Sequence, residues 1–156
     1  MTSRRQFLAL TCGALAAGDV SAQLDPNIQA LRAAALEAAV RKITGGKPLR
    51  AGKVKLQVPP LVDNGNTVPL SVSVDSPMTS ADHVTAIHVL TEKNPLPDVV
   101  SVELGPRAGR ATFATRVRLA DTQTVTAIAQ MSDGSFWVDR VPVVVTLSAC
   151  LEDGLI

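Results

Sequence analysis

From Lys53 to Leu147 apolar and polar side chains alternate with a period of two in short runs: KVKLQV, TVPLSVSV, VTAIHVL, VVSVEL, ATFATRVRLA, TVTAIAQM, SFWVDR and VPVVVTL. Alternation sends successive side chains to opposite faces of an extended chain, so each run can bury one face and wet the other. Clusters of Gly, Pro, Asn and Asp separate the runs. Seven or eight such strands predict a mainly β fold, an antiparallel β-sandwich of immunoglobulin-like type over residues 47–147. Asp63-Asn64-Gly65 and Asp133-Gly134 predict tight turns, and the second joins TVTAIAQM to SFWVDR as a hairpin, because Asp-Gly readily takes the positive φ that such turns need.

Upstream, residues 23–46 change period. Asp25 is placed to cap a helix, Pro26 suits its first position, and Gly45-Gly46 supplies a stop. Ile28, Leu31, Ala35, Ala39 and Ile43 recur at helical spacing, with Arg32 interrupting the stripe. The expectation is one amphipathic helix of about four turns. Its alanines bury little area, so it should lie across a larger element.

The first residues carry a different pattern. Arg4-Arg5 precede an apolar run from Phe7 to Ala17, and Val20-Ser21-Ala22 reads as a cleavage site. This is the layout of an export signal over residues 1–22, of twin-arginine type, leading to the periplasm. The apolar run is about half the roughly 20 residues needed to span a bilayer, so a membrane anchor is disfavoured. Cleavage after Ala22 removes Arg4, Arg5 and Asp19 from 15 basic and 14 acidic side chains, leaving equal numbers. Such a balance predicts no attraction to nucleic acid or to a membrane surface after export.

Cleavage also removes Cys12, so the exported chain keeps one cysteine, Cys150, in a C-terminal arm spanning residues 148–156. An unpaired thiol in an oxidising compartment suggests an intermolecular bond or a reactive group, and its place near the chain end favours exposure over a buried role. From Val145 to Cys150 an extended chain reaches at most about 17 Å. A free thiol with a pKa of about 8.5 is only a few per cent ionised at pH 7, and Glu152 and Asp153 lower that fraction. Activation is therefore expected from a partner's site.

Elsewhere the exported chain offers little chemistry. His83 and His88 fall on opposite faces of a regular strand and would not share a metal. The sequence has no Gly-x-Ser-x-Gly elbow and no phosphate loop. No catalytic, cofactor-binding or metal-binding residue is expected, and the chain is not expected to be an enzyme. In Phe136-Trp137-Val138 one large ring should point inward and the other out, both packing and not stacking on a ligand. Arg116 and Arg118 share one strand face and are read as a solvated cationic face, with an anion or a partner carboxylate as the alternative. Asn94, Pro95 and Pro97 are read as setting a loop's geometry, with direct contact as the alternative.

The stretches VPLSVSVDSPM, TEKNPLPDVVSVEL, TRVRLADTQTVTAIAQMSDGSFWV and VPVVVTLSAC, with the export-like start and the helix, resemble the SoxY family of periplasmic sulfur carriers over nearly the whole chain. The resemblance implies an immunoglobulin-like sandwich paired with a SoxZ-like sandwich protein. It also implies covalent sulfur intermediates on a cysteine in a Gly-Gly-Cys-Gly-Gly terminus, offered in turn to a thiosulfate-loading cytochrome, a sulfate-releasing hydrolase and a sulfane dehydrogenase. Cys150 matches that cysteine by its position after the last strand. Here Ser148-Ala149 and Leu151-Glu152 stand where the family has glycines, and Asp153-Gly154-Leu155-Ile156 extend the tail. The expected function is covalent sulfur carriage on Cys150 in thiosulfate oxidation. The alternative is a non-carrying paralogue that keeps only a dimerisation or regulatory role.

Overall fold

The residues that alternate by two do form strands. The computed structural model describes residues 26–148. Its elements are α1 (Pro26–Thr44), β1 (Leu49–Arg50), β2 (Val54–Gln57), β3 (Leu61–Val62), β4 (Val68–Val74), β5 (Val84–Thr91), β6 (Asp98–Glu103), β7 (Ala111–Val117), β8 (Gln123–Met131) and β9 (Phe136–Val145). The larger sheet runs β1-β9-β8-β5-β6 with β3 also paired to β9, and the smaller runs β2-β4-β7. The main ladders are antiparallel, while the two-residue strands β1 and β3 lie parallel to β9. Elements so short carry no periodic signal, which is why the alternation did not announce them.

Between the sheets lies the core the alternation predicts. Val68, Leu70, Val72 and Val74 of β4 are buried and face Ile87 and Val89 of β5, Val125 and Ala127 of β8 and Val143 of β9 in one cluster. Full burial of each large aliphatic side chain contributes about 1.5–3 kcal/mol. The larger sheet is apolar on its outer face too, where Leu90, Ile128, Phe136 and Val138 are covered by Leu36, Ala39, Val40 and Ile43 of α1. The helix thus lies across a sheet, as its composition implied. Its contact stripe differs from the expected one: Leu31 is 70% exposed and Ala35 is exposed, while Leu36 and Val40 take the inward positions. The sheet selects the face, and the many alanines leave the sequence without a strong preference.

Gly45 and Gly46 end α1 with φ of 60° and 81°, and the Gly45 amide donates to the Arg41 carbonyl. The Asp133-Gly134 hairpin forms as expected, with Gly134 at φ 78° and the Met131 amide bonded to the Ser135 carbonyl. SFWVDR and VPVVVTL are not separate strands but one, β9, running through Pro142. Pro142 falls between the segments paired by β1 and β3, an open edge where a missing N–H costs no ladder bond. Phe136 and Trp137 do point to opposite faces of β9, yet the outward ring, Phe136, is buried beneath the helix. The export-like segment, the Asp25 cap and Cys150 lie outside the described residues.

Candidate functional site

The strand that leads to Cys150 is held past its last paired residue. The Val145 amide donates to the Thr122 hydroxyl at 3.0 Å, and the Thr146 amide to the Val62 carbonyl at 3.0 Å. The Thr146 hydroxyl donates to the Asp63 carbonyl at 3.0 Å. The Leu147 amide donates to the same carbonyl at 3.2 Å, and the Leu147 carbonyl accepts from the Gly65 amide at 2.8 Å. The Asp63-Asn64-Gly65 turn is therefore a clasp for the arm, set by Asn64, whose side-chain oxygen accepts from the Asn66 amide. The expected reach starts at Val145; counted from Leu147, which is bonded through both its amide and its carbonyl, three further residues span at most about 10 Å to Cys150.

Beside the clasp the fold brings together candidates that are more than twenty residues apart in sequence. Asn94 donates from Nδ2 to the Arg118 carbonyl at 2.8 Å, and its Oδ1 accepts from the Ala120 amide at 2.9 Å and from Gln123 Nε2 at 3.0 Å. Gln123 is buried, and its Oε1 accepts from the Lys93 amide at 2.7 Å, so the loop and Gln123 satisfy each other. The Pro97 carbonyl accepts from the Thr91 amide. Asn94 is thus a structural clamp, consistent with the loop-setting reading. Pro95, Leu96, Val99, Val100, Arg116 and Arg118 line an open groove of about 450 Å³ against it. Leu119, next to Arg118, donates to the Gly65 carbonyl, which joins the groove wall to the arm clasp. The Lys93–Asp121 pair, 2.9 Å apart and more than a third exposed on both sides, adds at most about 1 kcal/mol.

The arm root is also ringed by apolar surface that the sequence pattern did not single out. Leu61 and Val144 are neighbours across β3 and β9, and both are exposed, as is Leu147. The only signal for it was the Pro-flanked PPLVD run, too short to assign to a face.

The histidines are separated as expected, although by a different route. A register irregularity between Val84 and Ala86 breaks the strict alternation, and His83 lies before β5 begins. Its amide donates to the Ser132 hydroxyl, tying the start of β5 to the end of β8. His88 Nδ1 lies 2.8 Å from Ser101 Oγ, and Ser101 donates to Asp98 at 3.0 Å. With the serine proton committed to Asp98, Nδ1 is the donor to Ser101 and Nε2 carries the lone pair. Burial pushes the His88 pKa below its ordinary value, partly offset by the carboxylates of Asp98 and Glu103. In this order of groups the imidazole does not act as base toward Ser101. Among the described residues no set of three His, Cys, Asp or Glu could hold a metal ion, and no helix is long and apolar enough to cross a membrane.

Comparison with known proteins adds the lineage. The family described as sulfur oxidation protein SoxY matches residues 40–150. The sulfur carrier protein SoxY from Chlorobium limicola f thiosulfatophilum superposes with a TM-score of 0.62 at 26% identity, covering 74% of this chain and 99% of that one. A superoxide reductase (neelaredoxin) from Ignicoccus hospitalis gives 0.54 at 19% identity, covering 60% and 80% of the two chains. A superoxide reductase from Nanoarchaeum equitans gives 0.51 at 11% identity, covering 62% and 100%. The two reductases share the fold alone. No curated protein sequence matches. With the family match running from the helix to the arm, on a sandwich whose last strand leads into that arm, the chain belongs to the SoxY family of sulfur oxidation proteins.

Proposed function

We propose that the chain is a covalent carrier of sulfur intermediates, with the cargo bonded to the Cys150 thiol and offered to partner enzymes. The supporting observation is the clasp at Leu147, which fixes the root of the Cys150 arm on a rigid end of the sandwich. Joining a thiol to thiosulfate through a new S–S bond releases one proton and two electrons, which a Sox-type cytochrome accepts. A sulfate-releasing hydrolase and a sulfane dehydrogenase then act on the same carrier. The chain is substrate and not catalyst in these steps, and needs no cofactor beyond the sulfur it carries. It is exported by the twin-arginine route to the periplasm after cleavage of residues 1–22, and pairs there with a SoxZ-like sandwich protein.

The test is an intact mass of the mature protein after incubation with thiosulfate and the oxidising partners. Adducts that reductant removes and Cys150→Ala abolishes are expected. An unchanged mass, under conditions that load a glycine-tailed homologue, would overturn carriage. The second reading, a dimerisation or regulatory paralogue that does not carry sulfur, draws on the short reach beyond Leu147, since about 10 Å does not enter a deep channel unless the partner meets the clasp itself.

A further inference from the structure

The cations of one segment are gathered at the end of the sandwich opposite the arm. Between Ala38 and Val62 the chain has Arg41, Lys42, Lys47, Arg50, Lys53 and Lys55 and no acidic residue. Arg41 and Lys42 stand in the last turn of α1. After the two glycines, Lys47 Nζ donates to the Gly134 carbonyl at 3.1 Å and lies 6.0 Å from the Phe136 ring centroid. β1 then runs beside the start of β9 with Arg50 opposite Trp137. The Arg50 guanidinium is 6.0 Å from the Trp137 ring, and Lys53 Nζ is 5.2 Å from it after a turn at Gly52, φ 121°. The indole N–H donates to the Ser135 hydroxyl at 3.1 Å, which fixes the ring. None of Arg41, Lys42, Lys47, Arg50 and Lys53 forms an ion pair with a described carboxylate.

The chemistry of the patch selects among anionic partners. A small anion would enter the recess of about 220 Å³ lined by Lys47, Arg50 and Ser135, but the Asp133 carboxylate lines it too. A membrane surface is held best where apolar side chains insert beside the cations, whereas the exposed Leu61, Leu96, Val144 and Leu147 lie at the arm end and Leu31 in the first half of α1. Asp75, whose amide donates to the Lys53 carbonyl, borders the patch with Asp133. A uniform polyanion meets repulsion from both, while a protein surface can match both signs. Trp and Arg are also the side chains that dominate protein interfaces. From Trp137 to Val145 the extended β9 spans about 26 Å, so a partner seated here leaves the arm clear.

We propose that the Lys47, Arg50, Lys53 and Trp137 end is a docking surface for an acidic segment of a protein partner, placed so that the arm at the opposite end stays clear. The proposal does not depend on sulfur carriage. Trp137 is the one tryptophan in the chain, so its emission reports directly on the patch. The full chain is titrated with a short peptide whose Glu run is flanked by lysines to meet Asp75 and Asp133, with an oligonucleotide of equal net charge, and with phosphatidylglycerol vesicles. Saturable, salt-sensitive binding of the peptide is expected, weakened about tenfold or more in Arg50→Gln/Lys53→Gln. Arg118→Gln, at the arm end, should bind as the wild type does, and unchanged melting temperatures would show that the variants are folded. Equal binding by the double variant, no peptide binding at low salt, or tighter binding of oligonucleotide or vesicles would overturn it. Labelling of the Cys150 thiol should be unaffected by saturating peptide, and slowed labelling would overturn the separation of the two ends.

Discussion

The Gly65 amide donates to the Leu147 carbonyl at 2.8 Å, while the Gly65 carbonyl accepts from the Leu119 amide at 2.8 Å. One residue of a turn thereby ties the root of the arm to the strand end that carries Arg116 and Arg118. The arm begins from a fixed point, and the length of chain between Leu147 and Cys150 sets its reach.

Thr122 secures the step before that point, since its hydroxyl both accepts from the Val145 amide and donates to the Val145 carbonyl. Thr122→Val keeps the shape and removes both bonds. It should cost about 1–2 kcal/mol and speed amide exchange at Val145, Thr146 and Leu147 relative to the core of β9. Hydrogen exchange by mass spectrometry reads this, and uniform protection in the variant would show that the clasp at residues 62–65 suffices alone.

Asn94→Ala removes three hydrogen bonds and leaves the buried Gln123 amide without its acceptor. A loss of about 1–3 kcal/mol in urea unfolding is expected. Asn94→Asp keeps the acceptor but sets a carboxylate against the Arg118 carbonyl, so it should not restore full stability.

His88 predicts a pH dependence. Its pKa is lowered in the folded protein, chiefly by burial, with Asp98 and Glu103 pulling the other way. Between the folded value and about 6.5 the unfolded chain binds more protons, so stability is fully present above pH 6.5 and declines as pH falls through the folded value. Melting temperatures from pH 7.5 to 5 should drop for the wild type more than for His88→Gln. A histidine titration by NMR placing His88 above 6.5 would reverse the sign.

Phe136 is 4% exposed and joins β9 to Leu36, Ala39, Val40 and Ile43 of the helix. Phe136→Ala should cost about 3–5 kcal/mol and loosen α1 from the sheet. Leu31→Ala, on the wet side of the same helix, should change stability by no more than about 0.5 kcal/mol. Chemical unfolding, with helix protection followed in parallel, tests both.

The alternation in the sequence revealed the strands of the sandwich because burying one face of a strand requires period two, and that requirement is local. The Asp133-Gly134 hairpin and the Gly45-Gly46 stop were equally legible, since positive φ is a property of the residues themselves. The place of Cys150 after the last strand was also visible, on position alone. The contact stripe of α1 was not legible, because alanine-rich faces differ little until Leu90, Ile128 and Phe136 choose among them. Neither was the union of Asn94 with Arg118 and Gln123, nor the clasp that bonds Leu147 at the arm's root, nor the gathering of Lys47, Arg50 and Lys53 around Trp137. These depend on which strands become neighbours. Sequence determines what each segment can bury, whereas only tertiary packing decides which polar groups meet once it is buried.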